Sequence, residues 1–276
     1  MGIRVEFMST LSQSLYLELL AYSRATLSAF LKNFPLYPTQ LNFDQKFNTN
    51  CISLMYDAQR NRESHSPRQD FWPKIEGLKD ACTSCWSFYL NPRNNSVKSL
   101  DIRLGKNFES EFMGFLRTKG FQTIRGDIER KNFPDVAIVR QDQQPACYLE
   151  LKYLTAPYVK IFKFVRGREC YEGSTTLDTG KKIAAQRKIV ETEITVPVFY
   201  TYWIDYPCIK GVFFMESHDV YQHIDSVQGT EWVRKERTGD FIETKQGRLR
   251  VAHLNKVYLP LLRMGNFEEL LKGIPC

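Results

Sequence analysis

Apolar positions along this chain recur in two rhythms, one helical and one extended, and the switch between them predicts the fold class. Leu11, Leu15, Leu19, Tyr22, Leu27, Phe30 and Leu31 fall broadly on one side of a helix that Ser9 and Thr10 can cap and that Pro35 and Pro38 end. Ile75, Leu78, Cys82, Cys85, Trp86 and Tyr89 keep helical spacing over residues 71–90. Phe108, Phe112, Phe115 and Leu116 form the i, i+4, i+7, i+8 stripe of an amphipathic helix over 105–121, with Gly120 as its stop. The rhythm then changes. Residues 136–139 read as a short buried strand and 147–152 as its hairpin partner, across a polar, proline-containing turn at 140–145. A helix opening on capping-type residues covers 178–188. Near-continuous apolar runs at 196–204 and 211–215 suit central strands covered on both faces. A hairpin around Gln246 and Gly247 and a short helix over 267–271 follow.

This order predicts an α/β protein, a central mixed sheet flanked by helices with an N-terminal helical region. The 276 residues allow one large domain or a core with an appended lobe. A polar linker at 91–96 divides the chain into a helical region over 1–95 and a core over 96–228, with an extension over 229–276 packed on that core. The polar stretch 57–70 predicts a loop between helices.

Side chains alternate along a strand, so Glu150 and Lys152 project to one face while Leu151 and Tyr153 project to the other. Asp135, at the start of the neighbouring strand, can reach the Glu150 side. Two carboxylates and an ammonium converging at the end of an apolar hairpin suit a hard divalent cation. Mg2+ takes oxygen ligands and keeps several waters, and Asp135, Glu150 and the peptide carbonyl between Glu150 and Lys152 would hold it on one edge. Such a metal polarises a phosphoryl group and lowers the pKa of a bound water. Lys152 would orient the attacking water and offset charge building on the phosphate. The competing reading is simple pairing of Asp135 and Glu150 with Lys152 on a solvated sheet face. An isolated E-x-K favours that reading; Pro134-Asp135 at hairpin spacing, with apolar strands between, favours the metal site. Glu109 borders the apolar stripe of the preceding helix and can lean toward the hairpin. Glu111 competes for that role, and a surface glutamate is the ordinary reading of either.

Glu109, Asp135, Glu150 and Lys152 occur in an order that resembles the PD-(D/E)xK nuclease superfamily, the restriction-endonuclease-like fold, over residues 101–216. The resemblance implies a core running helix with Glu, strand, Asp-bearing strand, (D/E)xK strand, helix, strand. It implies catalytic roles for Asp135, Glu150, Lys152 and Glu109, with Asp135 and Glu150 as metal ligands. It also implies Mg2+ as cofactor, with Mn2+ as a substitute, and hydrolysis of double-stranded DNA to 5′-phosphate and 3′-hydroxyl ends. A chain of this size without helicase or methyltransferase motifs looks most like a type II restriction endonuclease, which usually acts as a homodimer on palindromic sites. DNA repair, recombination and phage nucleases share these motifs, and a non-catalytic DNA-binding module is the alternative from another class.

Charge bears on the partner. Nine Lys/Arg and three acids lie between 152 and 188, and this local excess of six supplies nearly all of the formal net charge of +7. A basic surplus concentrated beside a candidate metal site is the footprint of a polyanion. Lys160, Lys163, Arg166 and Arg168 interleave with apolar residues, as a groove lining or an exposed strand with one buried face would. Lys181, Lys182 and Arg187 lie on the 178–188 helix, whose first turn offers N–H groups to a phosphate or is simply solvated. These seven are the candidate DNA contacts.

Seven cysteines at scattered positions give no disulfide framework and point to a reducing cytoplasm. Cys82 and Cys85 share a helix face with core residues, so they read as packing rather than as zinc ligands. The histidines at 65, 218, 223 and 253 form no metal pattern, although His218 and His223 can approach one another. No stretch approaches a membrane span, residues 1–6 lack the apolar core of a signal peptide, and Glu6 stands where an acylation signal wants Ser or Thr. The expectation is a cytoplasmic protein with no membrane partner.

Overall fold

The computed structural model describes residues 10–33, 41–56, 71–90, 98–154, 175–227, 232–233, 236, 240–250 and 254–275. Its central sheet has five strands in the spatial order β1-β2-β3-β5-β6. They are β1 (Gln122–Arg125), β2 (Val136–Val139), β3 (Pro145–Leu154), β5 (Val198–Asp205) and β6 (Lys210–Glu216). Neighbours run antiparallel except β3 and β5, which are parallel. A parallel pair requires a crossover connection, and the segment joining these two contains helix α5 (Lys181–Thr192). All residues of β2 and β5 are buried, as their unbroken apolar runs predict.

Alternation along β3 and β5 sorts the helices onto two faces. Leu151, Tyr153 and Trp203 face helix α4 (Lys98–Thr118), where Phe108 stacks on Tyr153 with ring centroids 3.4 Å apart and meets Trp203 edge-on at 4.9 Å. Helix α1 (Thr10–Lys32) packs on α4, and α7 (Phe267–Gly273) places Phe267 against Phe112 and Phe115 on the same side. The opposite face, bearing Glu150 and Tyr200, meets α5 and α6 (Ser217–Ser226) through Gln186 and Tyr221. The molecule is therefore helix, mixed sheet, helix. Buried residues of α1, α4, α7, the main sheet and α3 (Leu78–Leu90) belong to one contiguous hydrophobic core, so the N-terminal helices and the C-terminal helix share it with the sheet.

Element boundaries differ from expectation for identifiable reasons. α4 begins at Lys98 rather than Gly105, because Leu104 extends the buried stripe of Phe108 and Phe112 by a turn. α3 begins at Leu78, after Gly77 at φ +76° has broken the helical path. In α1, Leu11 and Tyr22 are exposed, and the buried stripe runs through Leu15, Tyr16, Leu19, Leu20, Leu27 and Leu31. Asp178 does not cap α5. It lies in β4 (Thr176–Asp178), ion-paired with Lys256 of β10 (Asn255–Tyr258), and Gly180 takes the N-cap without a side-chain bond. β4 and β7 (Trp232–Val233) flank β10 in a second sheet of three strands. The expected hairpin is a two-stranded sheet of its own, β8 (Phe241–Thr244) with β9 (Gly247–Arg250). α7 carries a full capping box between Asn266 and Glu269.

The linker at 91–96 and the loop at 57–70 lie outside the described residues. Among the described residues, no helix is long and apolar enough to cross a membrane. Cys82 is buried as core packing, as are Cys51, Cys147 and Cys208.

Candidate active site

The β2–β3 hairpin brings Asp135, Glu150 and Lys152 together. Its register pairs Val136 with Leu149, which sets Asp135 beside Glu150, and Asp135 Oδ2 accepts the Leu151 N–H at 2.8 Å. On the other side, the chain leaving β1 is clamped to the same point: Gly126 N–H donates to the Asp135 carbonyl at 2.9 Å. A Cβ on residue 126 would stand 1.9 Å from the Pro134 carbonyl oxygen, so the close approach that seats Pro134-Asp135 requires glycine.

Glu150 is buried and held at both oxygens. Lys152 Nζ ion-pairs with Oε1, and Gln186 Nε2 of α5 donates to Oε2 at 2.7 Å. Gln186 is itself fixed, since Tyr200 donates its hydroxyl to the amide oxygen at 2.8 Å and lies 3.1 Å from the Tyr221 hydroxyl. The local reason is periodicity: Ile183, Gln186 and Val190 form the buried face of α5, so a polar residue at 186 faces the sheet directly above Glu150 and Tyr200. Tyr202, also fully buried on this face, has a hydroxyl without a hydrogen-bond partner among the described residues, and it feels the charges of Lys152 and Glu150.

These contacts set the protonation states. Burial, reinforced by the Glu150 carboxylate, pushes Asp135 up to about 7 against the pull of Lys152 and the Leu151 N–H. Burial acts on Glu150 in the same sense. There it is outweighed by the ammonium groups of Lys152 and Lys182 and the bonds from Lys152 and Gln186, and Glu150 stays below the usual carboxylate range. Burial would lower Lys152, but Glu150 and Asp135 hold it well above the ordinary lysine value. Lys182, in the first turn of α5, is lowered chiefly by the positive charge of Lys152 and by burial. The pair thus splits into one carboxylate that is fully compensated and one that is not.

Glu109 leans toward this site. Its charge reaches Asp135 and Lys182, and its Oε2 accepts Arg125 NH1 at 2.5 Å. Glu111 faces the other way, bonded to Thr26 of α1, which decides between the two glutamates. Arg125 holds Glu109 apart from the pair: among the described residues, no group of three His, Cys, Asp or Glu is set to share one ion. Of the basic candidates, Lys181 is exposed on the first turn of α5 and Lys182 adjoins the carboxylates. Arg187 is turned to α6, where Asp225 grips it at 2.7 and 3.0 Å, and it also bonds Glu191 of its own helix at 2.7 Å. Lys160, Lys163, Arg166 and Arg168 lie outside the described residues. His223 is apart from the site, 2.6 Å from the Tyr258 carbonyl, and His218 is exposed.

Sequence reasoning missed Gln186, Tyr200 and Tyr202. Gln186 carries a readable signal, a lone polar residue on the apolar face of a predicted helix; the tyrosines, inside a uniformly apolar run, carry none.

The residues present fit a hard divalent cation. Asp135 and Glu150 are hard oxygen donors side by side, Asp135 makes no ion pair among the described residues, and the buried Tyr202 hydroxyl beside them has no hydrogen-bond partner among the described residues. Compared with protein-family models, curated proteins and solved structures, the chain matches none.

Proposed function

We propose that this protein is a metal-dependent endonuclease of double-stranded DNA with a restriction-endonuclease-like core, acting as a site-specific type II enzyme and leaving 5′-phosphate and 3′-hydroxyl ends. The observation that carries the reading is the convergence of Asp135, Glu150 and Lys152 across one hairpin, with Asp135 outside any ion pair among the described residues. The element order supports it: helix α4 with Glu109, strand β1, the Asp135-led β2, β3 with Glu150 and Lys152, then, after the short β4 of the second sheet, helix α5 and strand β5. That is the order the family resemblance implies.

Asp135 and Glu150 would hold Mg2+, whose chemistry when bound is to polarise the phosphoryl group and acidify a water. The chain's own groups do the rest. Lys152 remains an ammonium at any working pH, so it acts as a positioning and charge-stabilising group and not as the base that takes a proton from water. Gln186 and Lys152 together fix the Glu150 carboxylate, so that it meets its partners without rearrangement. Lys182 adds positive charge at the start of α5, where a phosphate would also meet free backbone N–H groups. Asp135 must be ionised to bind a cation, so proton and cation compete there and cleavage should weaken as pH falls.

The test is conversion of supercoiled plasmid to linear DNA at pH 8 with Mg2+ and with EDTA, for wild type, Asp135→Ala and Glu150→Gln. Cleavage requires Mg2+ and disappears in both variants, while their DNA binding persists. Wild type that leaves the plasmid intact, or Asp135→Ala that cuts at the wild-type rate, refutes the assignment.

A further inference from the structure

β8 and β9 form an antiparallel ribbon that joins neither of the other sheets. Apart from Phe241, which is half-buried, every residue of both strands is exposed. Gly247, at φ +114°, takes a backbone conformation that other residues avoid, and the Thr244 hydroxyl braces the turn by donating to the Gly247 carbonyl at 2.6 Å. A two-stranded ribbon exposed on both faces is marginal in water by itself, and a bound partner would stabilise it.

Its chemistry identifies the occupant. Residues 241–250 hold three cations, Lys245, Arg248 and Arg250, against one carboxylate, Glu243. Strand alternation sets Phe241, Glu243, Arg248 and Arg250 on one face and Ile242 and Leu249 on the other, the last two being 42% and 54% exposed. On the basic face the guanidinium of Arg248 lies 3.9 Å from the Phe241 ring centroid and that of Arg250 lies 5.8 Å from it. Stacking on a ring reduces the freedom of a guanidinium and leaves its N–H edge for an acceptor, the preorganisation that bidentate recognition of phosphate or guanine uses. The carboxylates at hand, Glu236 on Arg250 and Glu243 at 4.0 Å from Arg248, are exposed pairs that water and salt readily loosen. Dimensions agree. Two strands roughly 4.8 Å apart fit a major groove roughly 12 Å wide, and four residues span roughly the rise of four base pairs.

We propose that the β8–β9 ribbon is a DNA-reading element that enters the major groove of the duplex with its Arg248 and Arg250 face toward the bases and phosphates. This rests on the DNA-cleaving reading above and adds the surface that would select the site.

The experiment compares full-length wild type, Arg248→Ala/Arg250→Ala and Arg248→Lys/Arg250→Lys. Binding to a fluorescent 30-base-pair random duplex is followed by anisotropy in Ca2+ across a salt series. The fragment pattern from a long linear duplex is read in Mg2+, urea midpoints check that each variant is folded, and sedimentation gives the association state without DNA. The alanine pair should lose about tenfold or more in affinity and flatten the log-log salt slope by about two, one for each lost phosphate contact. The lysine pair should regain affinity for random DNA while its fragment pattern stays degraded, because charge is restored without the planar fork. Unchanged affinity and slope in a folded alanine pair that still cuts overturns the ribbon and leaves the nuclease reading standing. A change in association state without DNA makes the ribbon a contact between copies of the chain and overturns it too. Wild type that neither binds nor cuts duplex DNA removes the nuclease reading, and the ribbon inference falls with it.

Discussion

Asp135→Asn should make the metal-free protein more stable at alkaline pH while abolishing its response to divalent cations. The structure gives the size of the effect. An ordinary aspartate titrates near 3.8, and Asp135 is pushed up to about 7 by burial and by Glu150. At about 1.4 kcal/mol per decade, that displacement sets a ceiling of ~4 kcal/mol at pH 8. Coupling to Glu150 and partial solvent access bring the expected value to ~1–2 kcal/mol. The sign follows from proton binding. The folded state holds the Asp135 proton more tightly than the unfolded chain, so this group's contribution is complete below 3.8 and is lost as pH rises through about 7. Asparagine keeps the acceptor for the Leu151 N–H and carries no charge to desolvate. The advantage of the variant should therefore grow between pH 5 and pH 8, and urea unfolding in EDTA at unit intervals of pH would measure it.

Divalent cation should reverse the ranking. A ligand that binds only the folded state stabilises it by mass action, so millimolar Ca2+ should raise the wild-type midpoint at pH 8, do less at pH 6 where the proton competes, and leave the variant unmoved. Parallel pH profiles for the two proteins, or an asparagine variant that is the less stable at pH 8, would refute the reasoning and return Asp135 to an ordinary surface acid.

The other predictions concern the partners of Glu150 and the second buried ion pair. Lys152→Ala should retain Ca2+ binding in the presence of DNA, followed by calorimetry, and lose turnover by orders of magnitude, since positioning of this kind is worth roughly 2–4 kcal/mol of barrier; loss of Ca2+ binding would make its role structural. Gln186→Leu should leave the protein folded but raise the Mg2+ concentration needed for half-maximal cleavage by about 10- to 100-fold, as loss of an outer-sphere partner does; an unchanged Mg2+ titration would show that Gln186 only packs. Asp205→Asn should cost ~3–5 kcal/mol in urea unfolding by stranding the buried Lys210, while Asp205→Leu with Lys210→Met should cost much less. Equal losses in the two would mean that shape rather than charge pairing governs this corner.

Local features were legible in the sequence. The hairpin is a short-range object: Asp135 reaches Leu151 across 16 positions, and the apolar run, polar turn and alternating strand that build it are contiguous. Helical period also gave α1 and α4, and unbroken apolar runs gave the two buried strands β5 and β6. What was not legible depends on distant chain segments meeting. Nothing near Asp178 says that Lys256 will claim it, so a capping residue by composition became a strand residue by tertiary pairing. Arg187 belongs to a basic cluster by sequence, yet Asp225, 38 positions on, turns it away from Lys182. The register of β5 against β3 sets Tyr200 opposite Glu150 and Tyr202 opposite Lys152, and no pattern inside a uniformly apolar strand reveals that.

Two acid–lysine pairs in this fold differ in how completely their charges are compensated. Asp205 and Lys210 face each other directly across the β5–β6 hairpin, with side chains 0% and 1% exposed. Asp205 also accepts the Asn42 N–H at 3.4 Å, while Lys210 lies 5.5 Å from the Phe47 ring centroid. Each charge has its counterpart and further contacts, the packing leaves no approach for solvent, and a buried pair of this kind fixes geometry more than it adds stability. Glu150 and Lys152 look equally satisfied, yet 24% of the Lys152 side chain remains exposed. Beside them, among the described residues, Asp135 has one backbone donor and no ion pair, and the Tyr202 hydroxyl has no partner. Burial brought three charged groups together here, and the chain compensated only two of them. A carboxylate raised to about 7 beside a compensated neighbour costs folding energy that Lys152 and Lys182 only partly offset. Its retention is intelligible if a dication completes the balance, and that incompleteness sets the β2–β3 end of the sheet, rather than the β5–β6 corner, apart as the candidate site.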